Sequence, residues 1–238
     1  MIAVCGPVVF KRHSVSQDEG HSVARILVIG GSRGIGRAVC QAAVAKGHMV
    51  RAISRSGKMP DNVGDNCEAM KGDALHAADV ARALDGIDVV VQALGVPPSL
   101  DLVLKPVTLF SEATRVLLPE MKKAGVQRLV SVTGFGAGDS NKSINILQRL
   151  PFKLLLKRAY DDKSVQEQLI EESDLDWLIV RPGVLTSGPT SGKYRVLSKP
   201  AEWRNGIISR ADVADFIVQR IEAGPLNCEK PVIIRFPL

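Results

Sequence analysis

The chain has 238 residues, with 31 Lys and Arg against 25 Asp and Glu, a formal net charge of +6, and a hydrophobic fraction of 45%. This apolar content excludes disorder for most of the chain, and a fold of this size buries enough surface to need no disulfide or metal ion. No apolar run reaches the roughly 18–20 residues of a membrane-spanning helix. No basic run interleaved with aromatic residues favours a nucleic-acid partner.

The four cysteines are scattered along the chain without a CxxC pair, which is typical of a reducing compartment rather than of a disulfide framework. They are Cys5, Cys40, Cys67 and Cys228. Among the histidines, only His13 and His21 have a spacing that resembles a ligand pair. We therefore predict no metal site.

Residues 1–22 differ from the rest of the chain because a short apolar stretch is followed by Lys11, Arg12 and His13. A signal peptide carries its positive charge before its apolar stretch, not after it. We predict a flexible N-terminal extension here, with an added leader or a transit sequence as alternatives. Residues 23–238 are predicted to form one domain.

From residue 25 onward, β-branched apolar runs alternate with amphipathic segments of helical spacing. The predicted strands are 26–29, 50–54, 68–71, 88–94, 128–132, 177–180 and 231–234, and the predicted helices are 37–46, 77–84, 107–123, 158–172 and one that begins with a capping box at 209–212. Strands that are apolar on both faces are typical of parallel sheets, and this alternation is that of βαβ crossovers. The sequence predicts an α/β fold, a single doubly wound Rossmann domain with a mostly parallel sheet of about seven strands.

A glycine-rich turn follows the first predicted strand and opens the first helix. Its residues are Gly30, Gly31, Ser32, Arg33, Gly34, Ile35 and Gly36. Glycines in this context let the backbone approach a pyrophosphate, which the free N–H groups and the dipole of the helix start then bind. The alternative is a tight strand-to-helix turn without a ligand. We predict that this turn holds a dinucleotide.

The end of the second predicted strand indicates which dinucleotide is preferred. An NAD site usually has Asp or Glu at this point, whereas this chain has Ser54 and Arg55, with no carboxylate before Asp61. Arg55 suits a 2′-phosphate, with Arg33 flanking it from the glycine turn. The alternative is that both arginines are exposed loop residues. The pattern predicts NADP(H) rather than NAD(H).

Several motifs together resemble the short-chain dehydrogenase/reductase superfamily. They are 30–36, Gly72-Asp73, 93–95 and 181–183 for the superfamily, and 163–167, 175–185 and 208–214 for its atypical branch. That branch holds NmrA-like and biliverdin-reductase-B/flavin-reductase-like NAD(P)-binding proteins. The resemblance covers residues 25–236, although the glycine spacing matches the orthodox enzymes of the superfamily more closely than the atypical ones.

The resemblance implies further cofactor contacts. Asp73 and Ala74 would lie at the adenine, Ala93, Leu94 and Gly95 at the adenosine ribose, Ser131, Val132 and Thr133 beside the nicotinamide, Lys163 at its ribose, and Pro182, Gly183 and Val184 at its carboxamide. Two alternatives come from the residues themselves. Asp73 could only form a turn after Gly72, and Lys163 could form a surface pair with Glu167 one helical turn later.

The orthodox enzymes of this superfamily use a serine together with a Tyr-xxx-Lys motif, from which this chain departs. The residue four before Lys163 is Ala159, and the neighbouring tyrosine is Tyr160. A shift of one residue rotates a helical side chain by about 100°. The candidate catalytic residues are therefore Ser131, Thr133 and Lys163, and we predict that Tyr160 is not the proton donor.

These residues predict an NADPH-dependent reductase of a small conjugated acceptor, such as a flavin, quinone or carbonyl compound, whose proton can come from water. Residues 96–106 and 185–203 are predicted to frame the substrate. The main alternative is a non-catalytic NADP(H)-binding, redox-sensing regulator of the NmrA-like kind. A sugar-nucleotide epimerase fits less well, since it needs Tyr-xxx-Lys and a larger C-terminal domain. We expect a cytoplasmic monomer or small homo-oligomer, with a small-molecule substrate, no nucleic acid and no membrane as partner.

Overall fold

The computed structural model describes residues 23–58, 63–96, 107–143 and 149–237, with the backbone alone for 141–143 and 149–156. The predicted extension 1–22 and most of the predicted substrate segment 96–106 lie outside these residues. In chain order, the described elements are β1 (Arg25–Ile29), α1 (Gly34–Ala45), β2 (Met49–Ser54), β3 (Cys67–Lys71), α2 (Ala77–Leu84), β4 (Val89–Gln92), α3 (Leu109–Ala124), β5 (Arg128–Val132), α4 (Arg149–Glu171), β6 (Asp176–Pro182), β7 (Val184–Thr186), β8 (Arg195–Leu197), β9 (Gly206–Ser209), α5 (Arg210–Glu222), β10 (Val232–Ile234) and β11 (Phe236–Pro237).

The main sheet has eight strands in the described part of the chain, in the order β3-β2-β1-β4-β5-β6-β10-β8. The first seven run parallel, and β8 pairs antiparallel with β10 at the edge. These seven are the strands predicted from the sequence, so the doubly wound α/β fold is confirmed. The order 3-2-1-4-5-6, read from the β3 edge, is that of the Rossmann fold.

Four short strands were not predicted. Strand β8 extends the main sheet, and β7, β9 and β11 form a three-stranded sheet in the order β11-β9-β7. Each has two to four residues. Such a segment is too short to show a period in its hydrophobic residues, and its pairing depends on distant parts of the chain.

Alternate residues of the strands enter two cores, one on each face of the sheet. Ile26 and Val28 belong to the core beneath α1 and α5, whereas Leu27 and Ile29 belong to the core beneath α2 and α3. Both cores are fully buried at β1. Helices therefore cover both faces, as the apolar strands predict.

Two helix ends carry predicted capping signals. The predicted starts of α1 and α4 are wrong, however, because α1 begins at Gly34 rather than at 37 and α4 at Arg149 rather than at 158. Helix α3 ends at Gly125, which has the left-handed φ of 73° expected of a C-cap glycine. At the start of α5, the Ser209 hydroxyl accepts the N–H of Asp212 at 3.0 Å. A capping box also needs the side chain of the third helical residue, here Asp212, to accept the N–H of Ser209. This part of the prediction is wrong, because the Asp212 carboxylate accepts the N–H groups of Ser191 and Gly192 in a preceding loop.

None of the helices described here is long and apolar enough to cross a bilayer. Strands β1 and β4 are neighbours whose connections lead to opposite faces of the sheet, and this divergence opens a crevice at their carboxyl ends. In open α/β sheets, ligands bind at such a switch point.

Candidate functional site

The glycine-rich turn is held by backbone contacts that only glycine permits. A Cβ atom on Gly36 would overlap the carbonyl oxygen of Gly30, so the start of α1 packs directly on the end of β1. A Cβ atom on Gly31 would lie 2.7 Å from the Cβ of Ala52 on β2. By contrast, Gly34 has a φ of 59° and no atom within 4 Å of the place where its Cβ would lie. The turn thus presents an open backbone surface at Gly34.

The amino terminus of α1 has the features of an anion site. Arg33 is its N-cap residue and makes no side-chain capping hydrogen bond, and the first turn contains no acidic residue. The first N–H groups of a helix have no partner within the helix and carry the positive end of its dipole. They are therefore available to a phosphate group.

A cleft of about 500 Å³ runs from this turn across the carboxyl ends of the strands. The predicted site residues that line it are Gly30, Ser32, Arg33, Gly34, Ile35, Ser54, Arg55, Asp73, Ala74, Ala93, Leu94, Gly95, Val132, Thr133 and Lys163. The structure therefore brings together residues from five separate strand ends. Their individual roles remain predictions.

Three of the charged residues predicted for the adenosine side lie at the β2 end of the cleft. Arg33 and Arg55 are both exposed there. Asp73 also lines the cleft, and its carboxylate accepts the N–H of Leu75 at 3.0 Å. Asp73 thus forms the turn that the alternative interpretation predicted, and it faces the cleft as well.

At the other end, Thr133 is held by two charged side chains. Its hydroxyl donates to Glu167 at 2.6 Å, and its carbonyl oxygen accepts a hydrogen bond from the Lys163 ammonium. Glu167 is 1% exposed and also binds the fully buried Arg181 through two hydrogen bonds of 2.6 and 3.1 Å. The alternative of a Lys163–Glu167 surface pair is therefore wrong, because Glu167 is buried and pairs with Arg181.

Lys163 is half-buried in the cleft wall, and its Nζ lies 4.9 Å from the centre of the Phe110 ring. Burial lowers the pKa of this ammonium to about 8, although the carboxylates of Glu167 and Asp162 act in the opposite direction. Asp162 itself accepts the N–H of Phe110 at 2.8 Å, which fixes α4 against the start of α3. Burial thus brings the pKa of Lys163 down toward the neutral range.

Ser131 does not reach the cleft. It is fully buried between the side chains of Gln92 and Gln166. Gln166 donates to the Ser131 hydroxyl at 3.1 Å, and that hydroxyl lies 3.5 Å from the Gln92 oxygen. The predicted direct role of Ser131 in catalysis has no geometric support here.

Other predicted residues also lie away from the cleft surface, namely Gly31, Gly36, Tyr160, Pro182, Gly183 and Val184. The Tyr160 hydroxyl lies 3.0 Å from the place where a Cβ of Gly134 would be, and burial raises its pKa to about 12. Gly183 packs against the backbone of Gly206, and the next cleft residue in this segment is Leu185.

Some lining residues were not predicted as site residues, among them Ile29, Ile53, Leu75, Leu109 and Arg210. From the sequence, Arg210 was placed in a helix cap and in the family motif 208–214, but not in the site. No local signal could assign it to the cleft, because α5 follows β9, a short strand of the smaller sheet that was not predicted.

The fold and the cleft define a dinucleotide-binding Rossmann domain. The chain belongs to the NAD(P)H-binding family, whose model matches residues 30–223. This match and the structural neighbours confirm the resemblance to the atypical short-chain dehydrogenase/reductases. The match also confirms a nicotinamide nucleotide as the class of cofactor, and it does not distinguish NADP from NAD.

Among solved structures, the chain is similar to ChuY, an anaerobilin reductase from Escherichia coli O157:H7. The TM-score is 0.73 at 26% identity, covering 89% of this chain and 97% of that one. The oxidoreductase ylbE from Lactococcus lactis, at 19% identity over 90% of this chain and 91% of its own, has a TM-score of 0.71 and shows the same fold.

Two curated relatives are similar over part of their length. The photosystem II assembly factor Ycf39 of Synechocystis is 24% identical over 207 residues, which are 83% of this chain and 58% of that protein. The protein YMR090W of Saccharomyces cerevisiae is 32% identical over 102 residues, 42% of each chain. The matched regions thus span less than two thirds of either relative.

Proposed function

We propose that the protein is an NADPH-dependent reductase that transfers hydride to a small conjugated acceptor, such as a flavin, a quinone or a carbonyl compound. One observation carries the proposal. The cleft joins an anion-binding helix start at one end to a half-buried ammonium, Lys163, at the other, with Leu109 and Leu185 as apolar walls beside it. The similarity to an anaerobilin reductase supports a reductase.

The turn fits the pyrophosphate of a dinucleotide because Gly34 leaves its backbone open and α1 has no acidic residue in its first turn. Arg55 and Arg33 supply guanidinium groups for a 2′-phosphate at the adenosine end. A carboxylate at the end of β2 would repel that phosphate, and Ser54 stands there instead. These contacts support NADP(H) over NAD(H).

When bound, the nicotinamide supplies the hydride. A conjugated acceptor that takes up a hydride becomes an anion, and the Lys163 ammonium is placed to stabilise that charge. Thr133 orients the ammonium through its carbonyl oxygen. The Thr133 hydroxyl donates its proton to a hydrogen bond with Glu167, so this proton does not point to the acceptor. Thr133 therefore acts as a positioning residue, and water protonates the reduced acceptor.

A second candidate, a nucleotide-binding regulator without turnover, is favoured by one specific observation. The hydroxyl groups of Ser131 and Thr133 both interact with buried side chains rather than with the cleft. The similarity to an assembly factor is compatible with this candidate.

Two measurements test the proposal. Calorimetry with NADPH and NADH should give tighter binding of NADPH, and Arg55→Ala should weaken NADPH roughly 10- to 100-fold by removing a charged hydrogen-bonding partner. Arg25→Ala, an exposed arginine at the start of β1 and outside the cleft, is the matched control and should change the affinity for neither nucleotide. NADPH consumption is then followed with a panel of flavins, quinones and carbonyl compounds. Tight binding without consumption of NADPH by any of them favours the regulator.

A further inference from the structure

Two pairs of cleft residues come from the part of the chain that follows β4. Leu109 and Lys163 belong to α3 and α4, and Leu185 and Arg210 belong to β7 and α5. Each pair therefore combines an apolar side chain with a cation. Among the described lining residues, the carboxylate is that of Asp73, which follows β3.

Arg210 is the first residue of α5 and is fixed in place by its own hydrogen bonds. One terminal nitrogen, Nη1, donates to the carbonyl oxygen of Thr186 at 3.1 Å and to the hydroxyl of Ser187 at 3.4 Å. Within the described structure, no carboxylate forms an ion pair with this guanidinium, and Nε and Nη2 donate no hydrogen bond. A guanidinium held by one nitrogen still has donors for a planar anion.

The position of Arg210 separates it from the arginines that face the 2′-phosphate. Arg33 and Arg55 follow β1 and β2, whereas Arg210 is anchored to Thr186 at the end of β7, a strand of the smaller sheet. Leu185, also of β7, lines the same cleft. An anion bound at Arg210 therefore shares the cleft with the Lys163 ammonium.

We propose that Arg210 selects an acceptor that carries a carboxylate, binding that group while the conjugated ring lies between Leu109 and Leu185. This inference rests on the proposed reductase function and adds the substrate class. The shared chemistry is an anion at Arg210, and the competing source of that anion is the pyrophosphate of the dinucleotide, because the first residues of α1 and α5, Gly34 and Arg210, line the same cleft.

The test uses one naphthoquinone ring in two forms, a propionate-substituted quinone and its methyl ester. The acid should have a kcat/KM roughly 10- to 100-fold above that of the ester, the range expected for a charge-assisted hydrogen bond. Arg210→Gln should remove this preference by raising KM for the acid far more than KM for the ester. Arg25→Gln, an exposed arginine at the start of β1 and outside the cleft, should keep the preference.

Three outcomes overturn the inference in different ways. Equal kcat/KM for acid and ester in the unaltered protein removes the carboxylate site but leaves the reductase. A tenfold weaker binding of NADPH by Arg210→Gln, with the acid preference kept, assigns Arg210 to the pyrophosphate. If neither quinone is reduced, calorimetry of acid and ester binding to the NADPH-saturated protein still decides the site, because equal affinities contradict it. The reductase proposal itself fails only if the wider panel of acceptors gives no turnover either.

Discussion

The buried pair of Glu167 and Arg181 makes Glu167→Gln the most informative stability test in this protein. Glu167 is 1% exposed and Arg181 is fully buried. The glutamine has nearly the same volume but lacks the charge, and its amide nitrogen replaces an oxygen that accepts hydrogen bonds from Arg181 or Thr133. The substitution therefore places two donors against each other in a site without solvent.

Removing one partner of a buried ion pair costs about 3–5 kcal/mol, because the other charge stays buried without compensation. Here Asp139 also lies 2.6 Å from the Arg181 guanidinium. This second carboxylate keeps part of the compensation, so we expect Glu167→Gln to lower the free energy of unfolding by about 3 kcal/mol, the lower end of that range. Urea unfolding followed by circular dichroism measures the change.

Two controls separate the buried pair from general sensitivity of the region. Asp139→Asn removes a carboxylate that is 43% exposed and should cost at most about 1 kcal/mol. The double variant Glu167→Leu, Arg181→Met removes both charges and should be more stable than Glu167→Gln. A loss below about 1 kcal/mol for Glu167→Gln, or a double variant less stable than it, refutes the assignment of this pair as an obligatory buried interaction.

Three further predictions concern the cleft and its borders. Gly36→Ala should lower the free energy of unfolding by about 3 kcal/mol and abolish nucleotide binding in calorimetry, because the added Cβ overlaps the backbone. Gly34→Ala places its Cβ in open space. It should lower the free energy of unfolding by only about 1–2 kcal/mol, because of the left-handed φ. Equal effects of the two would contradict this geometry. Turnover should fall as the pH rises through about 8, where the Lys163 ammonium loses its proton, and Lys163→Arg should abolish that decline since guanidinium stays charged. Asp212→Asn weakens the hydrogen bonds that hold the preceding loop, so trypsin should cleave at Lys193 about tenfold faster.

The seven parallel strands and the glycine turn could be predicted because local chemistry determines them. The run from Ile26 to Ile29 has β-branched residues on both faces, which only a buried strand accommodates well. Gly125 ends α3 with a positive φ, and Ser209 begins α5 through its hydroxyl. Each of these signals lies within a few residues of the structure that it determines.

The polar interior of the site could not be predicted in the same way, because its partners are distant in sequence. Thr133 and Glu167 are 34 residues apart and meet only because α4 crosses back over β5. For Ser131, however, a local signal existed. It is two residues after Leu129, which belongs to the core beneath α2 and α3, so the alternation of the strand directs both side chains to that face.

The one-residue displacement of the tyrosine has a visible consequence in α4. Ala159 and Lys163 both contact Phe110, so they share the side of the helix that faces α3. Tyr160, rotated by about 100° from Ala159, instead lies against Gly134. The place that a Tyr-xxx-Lys motif gives to a phenol is therefore filled by a methyl group packed on Phe110. A ketone needs an acid at that place, whereas a conjugated acceptor distributes the charge of the added hydride and can take its proton from water. The packing of Ala159 thus favours conjugated acceptors over isolated ketones, and Ala159→Tyr provides the direct comparison between the two substrate classes.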